Sequence, residues 1–207
     1  MMGSFDRFWL VLAACFIPAI WLVADIAGER LGANPIQGLH IRLGDLSLRF
    51  LLVTLAVTPL QMLTGVGGMA RYRQMFGLMA FFYATLHVLG YLVVDHAGDW
   101  RLIAMDIWES RYIWLGVAAY LILLMLAVTS PKKAKIRLGK SWKKLHRLIY
   151  PCALAASFHY LWQFKGDMAE PLFYLAALLL LLGFRLLPKA KRKSVAAAFS
   201  SASSEKS

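Results

Sequence analysis

Residues 76–94 read FGLMAFFYATLHVLGYLVV, an apolar run without a single Asp, Glu, Lys or Arg. At about 1.5 Å per residue it is long enough to cross the roughly 30 Å hydrocarbon core of a bilayer as a helix. One ionisable side chain, His87, stands inside it. An imidazole in hydrocarbon is expensive, so a histidine at that depth is a functional candidate by default. Working outward, five more stretches are apolar enough to be spans: 8–27, 46–63, 112–128, 148–164 and 172–187. Each is near the roughly 17 to 25 residues of a transmembrane helix, the last two being short. Strands of a membrane barrel would be about 9 to 11 residues long and strictly alternating, which these are not. The expected fold is all-α, a polytopic bundle of six transmembrane helices.

The composition agrees. Of 207 residues, 60% are hydrophobic and the mean hydropathy is +0.60, well above the apolar share of about 45 to 50% in soluble domains. The first span is longer than the roughly 7 to 15 residue core of a signal peptide, so it is expected to be retained. Six spans and short loops make one domain, 1–193. The Ser- and Ala-rich stretch 194–207 reads as a disordered cytoplasmic tail.

The formal charge of +12 would suggest nucleic acid in a soluble chain. Here the cations fall between spans. Arg71 and Arg73 follow the second span, and Lys132, Lys133, Lys135, Arg137, Lys140, Lys143, Lys144 and Arg147 follow the fourth. The loop 95–111 instead carries Asp95, Asp99, Asp106 and Glu109 against Arg101 and Arg111. Basic loops alternate with acidic or neutral ones, which by the positive-inside rule puts both termini in the cytoplasm. No nucleic-acid partner is expected. The basic loops could also meet anionic lipid or an acidic partner.

Cys15 and Cys152 fall inside spans at no metal-binding or disulfide spacing and read as packing residues. Gly65, Gly67 and Gly68 mark a turn, since no strand precedes them and no phosphate-binding lysine follows. The chain has neither strand–helix alternation nor a dinucleotide fingerprint.

Two more histidines stand at or in a span, His146 and His159. His87 and His159 each lie 11 residues beyond the cytoplasmic start of their span, about 16 Å deep. Two imidazoles at equal depth on neighbouring helices can sandwich one iron, an arrangement suited to electron transfer because no coordination position stays open. His146 precedes His159 by 13 residues, a rise of about 20 Å and a turn of about 220° on an ideal helix. It belongs at the cytoplasmic boundary, and Pro151 between the two could alter their relative rotation. The spacing neither proves nor excludes a second haem. Each histidine also has a plainer reading: an interhelical hydrogen bond for His87, an interfacial residue for His146. His40 and His96 are expected in outward loops, solvated.

Two segments carry a resemblance: RQMFGLMAFFYATLH from Arg73 to His87, and LGKSWKKLHRLIY from Leu138 to Tyr150, continuing to HYLW at 159–162. They resemble the MsrQ family, haem-binding membrane subunits of bacterial periplasmic methionine-sulfoxide reductase systems, in the ferric reductase-like transmembrane superfamily. The likeness covers nearly the whole chain, including Gly32-Ala-Asn-Pro35 and Thr58-Pro59-Leu60. It implies a multi-pass inner-membrane cytochrome with one or two haems b, an electron-transfer subunit rather than the catalytic subunit. Electrons would come from the quinone pool or a cytosolic flavin reductase. They would go to a periplasmic molybdenum-containing methionine-sulfoxide reductase that repairs oxidised proteins. The family's haem-linked histidines match His87, His146 and His159, and FMN is associated with such subunits.

Two other functions compete. One is a stand-alone ferric or quinone reductase-type cytochrome b. The other is a small proton-coupled transporter using the histidines as a relay, against which the spans lack paired acidic residues, Asp25 and Asp95 lying at span ends. The acidic loop 95–111, through Asp99 and Asp106, is the expected docking surface for a periplasmic partner, and the basic loop after the fourth span suits an acidic electron donor.

Overall fold

The computed structural model describes residues 4–163, 166 and 168–188; the expected tail 194–207 lies outside them. The described residues form helices joined by short turns, with no strand among them: α1 Ser4–Ala14, α2 Ile17–Ala27, α3 Pro35–Thr64, α4 Ala70–Gly90, α5 Trp100–Glu109, α6 Arg111–Val128, α7 Lys132–Leu138, α8 Lys140–Leu145, α9 Ile149–Gln163 and α10 Ala169–Leu186. Five stretches are long and apolar enough to cross a membrane: Phe5–Ala27, Pro35–Thr64, Ala70–Asp95, Arg111–Val128 and Ala169–Leu186. The chain is thus a multi-pass membrane protein. The remaining expected span corresponds to α9, of which 15 residues are described.

Two boundaries differ from the sequence expectation for physical reasons. The first span is broken between α1 and α2, where Pro18 sits in the opening turn of α2 and cannot donate a backbone hydrogen bond. The Cys15 carbonyl at the break accepts instead from the Tyr83 hydroxyl of α4, at 2.8 Å. The second span starts at Pro35 rather than residue 46. Asn34 caps it, its side chain accepting from the Gln37 N–H at 3.1 Å, and Pro35 begins it with a pre-set φ. Arg42 and Asp45 made residues 35–45 look like loop, but tertiary partners satisfy them: Arg42 pairs with Asp25 and Asp45 with Arg49. This extension puts His40 on α3. It is only 8% exposed, not solvated in a loop.

The bundle pairs α3 with α4 and α6 with α9; α4 against α6 joins the pairs, and α10 closes on α9 and α3. Small buried residues, Ala80, Ala119, Cys152 and Ala153, line the centre and let the backbones approach. Cys152 donates to the Ala119 carbonyl at 3.4 Å, so its role here is packing, as expected. A second cluster built on Cys15, Leu22, Leu43, Met79 and Tyr83 holds the N-terminal helices to α3 and α4.

Outside the spans, the acidic loop 95–111 is ordered by its own carboxylates. Asp99 caps α5, accepting from the backbone of Arg101 and Leu102. Asp106 accepts from the Tyr91 hydroxyl at 2.8 Å and the Ser110 hydroxyl at 3.1 Å, with His96 Nε2 at 3.5 Å. Both carboxylates hold the loop together, and Asp99 stays exposed at the surface.

Pro59 lies inside α3 and leaves the Leu55 carbonyl, one turn earlier, without its helical donor. In the lipid-embedded part of a protein that carbonyl needs a partner. Arg185 of α10 supplies one: its guanidinium bonds the Leu55 oxygen, donates to the Tyr150 hydroxyl at 2.6 Å and stacks on that ring. One arginine therefore ties α3, α9 and α10 at the bend. Arg185→Leu should lower stability by about 1–3 kcal/mol, the cost of an orphaned buried carbonyl. In the Pro59→Ala background, where residue 59 regains its N–H, the same change should cost less. Thermal unfolding in detergent across this cycle checks it; equal losses in both backgrounds would contradict it.

Candidate cofactor site

The three sequence-predicted histidines sort into two places. His87 is near the end of α4, just before a single π-helical turn at Tyr91–Asp95. His159 is near the end of α9. Although α4 begins six residues before the expected start, the two rings meet, centroids 6.4 Å apart and nearly perpendicular at 79°. His146 sits at the opposite end of α9, in the short turn between α8 and α9.

Each imidazole is oriented by a backbone carbonyl. His87 Nδ1 donates to the His40 oxygen at 3.1 Å, His159 Nδ1 to the Tyr112 oxygen at 2.8 Å, and His146 Nδ1 to the Trp142 oxygen at 3.2 Å. A carbonyl can only accept, so Nδ1 carries the proton and Nε2 keeps its lone pair. That is the tautomer a metal ligand needs, with the second nitrogen held by an outer partner. The separation also fits. Two imidazole–metal bonds of about 2.0 Å each, with ring centroids about 1.1 Å further out, put the centroids roughly 6.2 Å apart.

Glycines shape the space around these rings, and the sequence reading passed over them. A Cβ on Gly116 of α6 would fall 2.8 Å from His159 Cε1, closer than real side chains approach. A Cβ on Gly44 of α3 would be in ordinary contact with His87 at 3.4 Å, and one on Gly90 would lie 3.2 Å from His40. For Gly90 and Gly116 the only advance signal is a glycine in an apolar span, where it serves close approach.

His40 completes this end of the molecule. Its ring centroid is 5.5 Å from that of His87, and Asp95 Oδ2 lies 2.9 Å from its Nε2 without hydrogen-bond alignment. It therefore positions His87 through its carbonyl, with the Asp95 carboxylate beside its ring. His96 is separate, bonded to the Tyr91 carbonyl at 3.1 Å.

At the other end His146 stacks on Trp142, centroids 3.9 Å apart, and the indole in turn donates to the Thr129 carbonyl at 2.9 Å. Burial, reinforced by nearby Arg73 and Lys135, holds the His146 imidazole below the ordinary histidine value, in its neutral form. Its Nε2 is buried and has no hydrogen-bond partner. A cavity of about 430 Å³ opens beside it, lined also by Arg71, Arg73, Lys135, Lys143, Arg147 and Arg185 and by no carboxylate. A cavity with one buried lone pair and six cations suits a ligand that combines a metal with anionic groups.

Residues 43–157 match the family described as ferric reductase like transmembrane component. The chain is 45% identical over 184 residues to a protein-methionine-sulfoxide reductase heme-binding subunit MsrQ of Rhodospirillum rubrum, covering 88% of each chain. It is 43% identical over 182 residues to the MsrQ subunit of Xanthomonas oryzae pv. oryzae, covering 85% of this chain and 84% of that one. For the subunit of Xanthomonas axonopodis pv. citri the figures are 42% over 194 residues, with 91% and 89% covered. At 42–45% identity over 85–91% of its length, the chain belongs to the MsrQ family of ferric reductase-like transmembrane proteins.

Proposed function

We propose that this chain is a haem b electron-transfer subunit of the inner membrane. His87 and His159 would hold one haem, and His146 would contribute to a second site at the cytoplasmic face. The observation that carries the reading is the pair of imidazoles 6.4 Å apart, both with Nδ1 committed to backbone carbonyls. When bound, haem b supplies a one-electron iron couple. The protein fixes both imidazoles in the ligating tautomer, excludes water from the pair by burial, and leaves no ligand position for substrate. Around His146, the cations of the cavity neutralise the carboxylates of a haem or the phosphate of FMN, and the stacked Trp142 holds the ring in place.

The relatives are named as subunits of a protein-methionine-sulfoxide reductase. On that likeness, electrons leave at the His87–His159 end for a periplasmic molybdenum-containing reductase that repairs methionine sulfoxide. They arrive from the quinone pool or from a cytosolic flavin reductase docked on the basic face. The topology is six spans, α9 included, with both termini cytoplasmic. The alternation of basic and acidic loops supports this orientation.

His87→Ala or His159→Ala should abolish or shift the haem absorption of the purified protein, while His146→Ala should leave the spectrum of the first haem in place. A normal reduced spectrum in both His87→Ala and His159→Ala would contradict the assignment. Gly116→Ala should perturb that spectrum as strongly as loss of His159, because its methyl would occupy space the ring now fills. Gly44→Ala should be nearly silent. Equal spectra for the two glycine variants would show that the ring has room the geometry denies.

A further inference from the structure

A charged network lies where α3 and α10 meet. On α3, Arg49 bonds Asp45 one turn earlier. From α10, Tyr174 accepts from Arg49 Nε at 2.7 Å and donates to Glu170 Oε1 at 3.2 Å, and Glu170 Oε1 lies 3.3 Å from Arg49. The Tyr160 ring of α9 is 6.1 Å from that of Tyr174. Charged groups such as Asp45 and Arg49 inside a span are costly unless they serve a function.

Their placement ties them to the histidine pair. Gly44, next to Asp45, is the residue in contact with His87, and Tyr160 follows His159. Helix rotation of about 100° per residue turns Asp45 and Tyr160 to the adjoining faces, toward α10. Two further observations point to a ligand. Asp45 is 9% exposed and its Oδ1 is buried with no hydrogen-bond partner, a lone acceptor in a place where water is scarce. The Arg49 and Glu170 side chains, by contrast, are 52% and 50% exposed, so the network opens at the α3–α10 face where lipid would lie.

We propose that this network is the binding and deprotonation site for the head group of a membrane-soluble hydroquinone. The chemistry selects that class. The ligand must arrive through lipid, offer a hydroxyl to the free Asp45 oxygen, and offer a carbonyl after oxidation to Arg49 or a tyrosine hydroxyl. Oxidation breaks the hydroquinone O–H bond. The proton would pass to Asp45 Oδ1, and a haem held by His87 and His159 would supply the one-electron acceptor. The proton then moves by way of Tyr174 to Glu170 and outer water. A second proton and electron follow the same course once the first electron has moved on, leaving the quinone. This assignment rests on the reading of a quinone-pool donor given above.

The test uses the full chain, loaded with haem, in lipid nanodiscs. An azido-ubiquinone photolabel should mark peptides of α3 and α10 around Asp45–Arg49 and Glu170–Tyr174, and excess decylubiquinone should suppress the marking. Under anaerobic stopped flow, decylubiquinol should reduce the wild-type haem. Asp45→Asn and Tyr174→Phe should slow that reduction at least about tenfold, the lower end for losing a proton acceptor. Their dithionite-reduced spectra should be unchanged. A wild type that dithionite reduces but decylubiquinol neither reduces nor labels would overturn the quinone donor itself. A wild type reduced by decylubiquinol but labelled elsewhere would overturn this site alone, as would variants as fast as wild type. Because labelling is read on the unsubstituted protein, it decides the matter even where a variant fails to fold.

Discussion

The structure turns on a hydrogen bond that leaves no trace in hydropathy: histidine Nδ1 to a backbone carbonyl of a neighbouring helix. For His87 the acceptor is the His40 carbonyl on α3, and for His159 it is the Tyr112 carbonyl on α6. Each bond does three things. It satisfies a buried polar group where water is absent, it fixes the tautomer that leaves Nε2 able to coordinate, and it locks the register between the two helices that share it. Because α3 pairs with α4 and α6 with α9, the helix pairing and the orientation of the two imidazoles are one arrangement.

The same logic governs the rest of the buried polarity. Where a helix bends at Pro59 the freed carbonyl meets Arg185, and where the first span breaks at Cys15 it meets the Tyr83 hydroxyl. Interruptions of helical bonding survive in a membrane only when another element completes them. The bundle therefore holds together less by apolar burial, which lipid would supply equally well, than by close packing over small residues and by these specific ties. The cytoplasmic end works differently. His146 receives its orientation from within its own segment, by Trp142 four residues earlier, and faces a cavity dominated by positive charge. The two ends are thus chemically distinct, one an enclosed imidazole pair and the other an open cationic basin.

Much of this was legible in the sequence. The apolar runs located the membrane helices, and equal depth singled out His87 and His159 without any alignment. Reading failed where tertiary contacts rescue residues that hydropathy penalises. Arg42 and Asp45 disguised the first three turns of α3, and with them the burial of His40, because their partners Asp25 and Arg49 cannot be seen in a window average. Asp99 and Asp106, surface charges in the sequence, also serve in the fold as a helix cap and a hydrogen-bond hub. Gly116 and the carbonyl acceptors were invisible for a simpler reason: backbone atoms are the same at every position, and only the fold says which of them face a ring.

The central claim is that one iron is held between His87 and His159. The most direct measurement is the low-temperature electron paramagnetic resonance spectrum of the oxidised, haem-loaded protein, compared with its His159→Ala variant. Two imidazoles on one iron predict a low-spin ferric signal that converts to a high-spin signal when His159 is removed. A high-spin signal in the unsubstituted protein, or a low-spin signal that persists unchanged in the variant, would contradict the account.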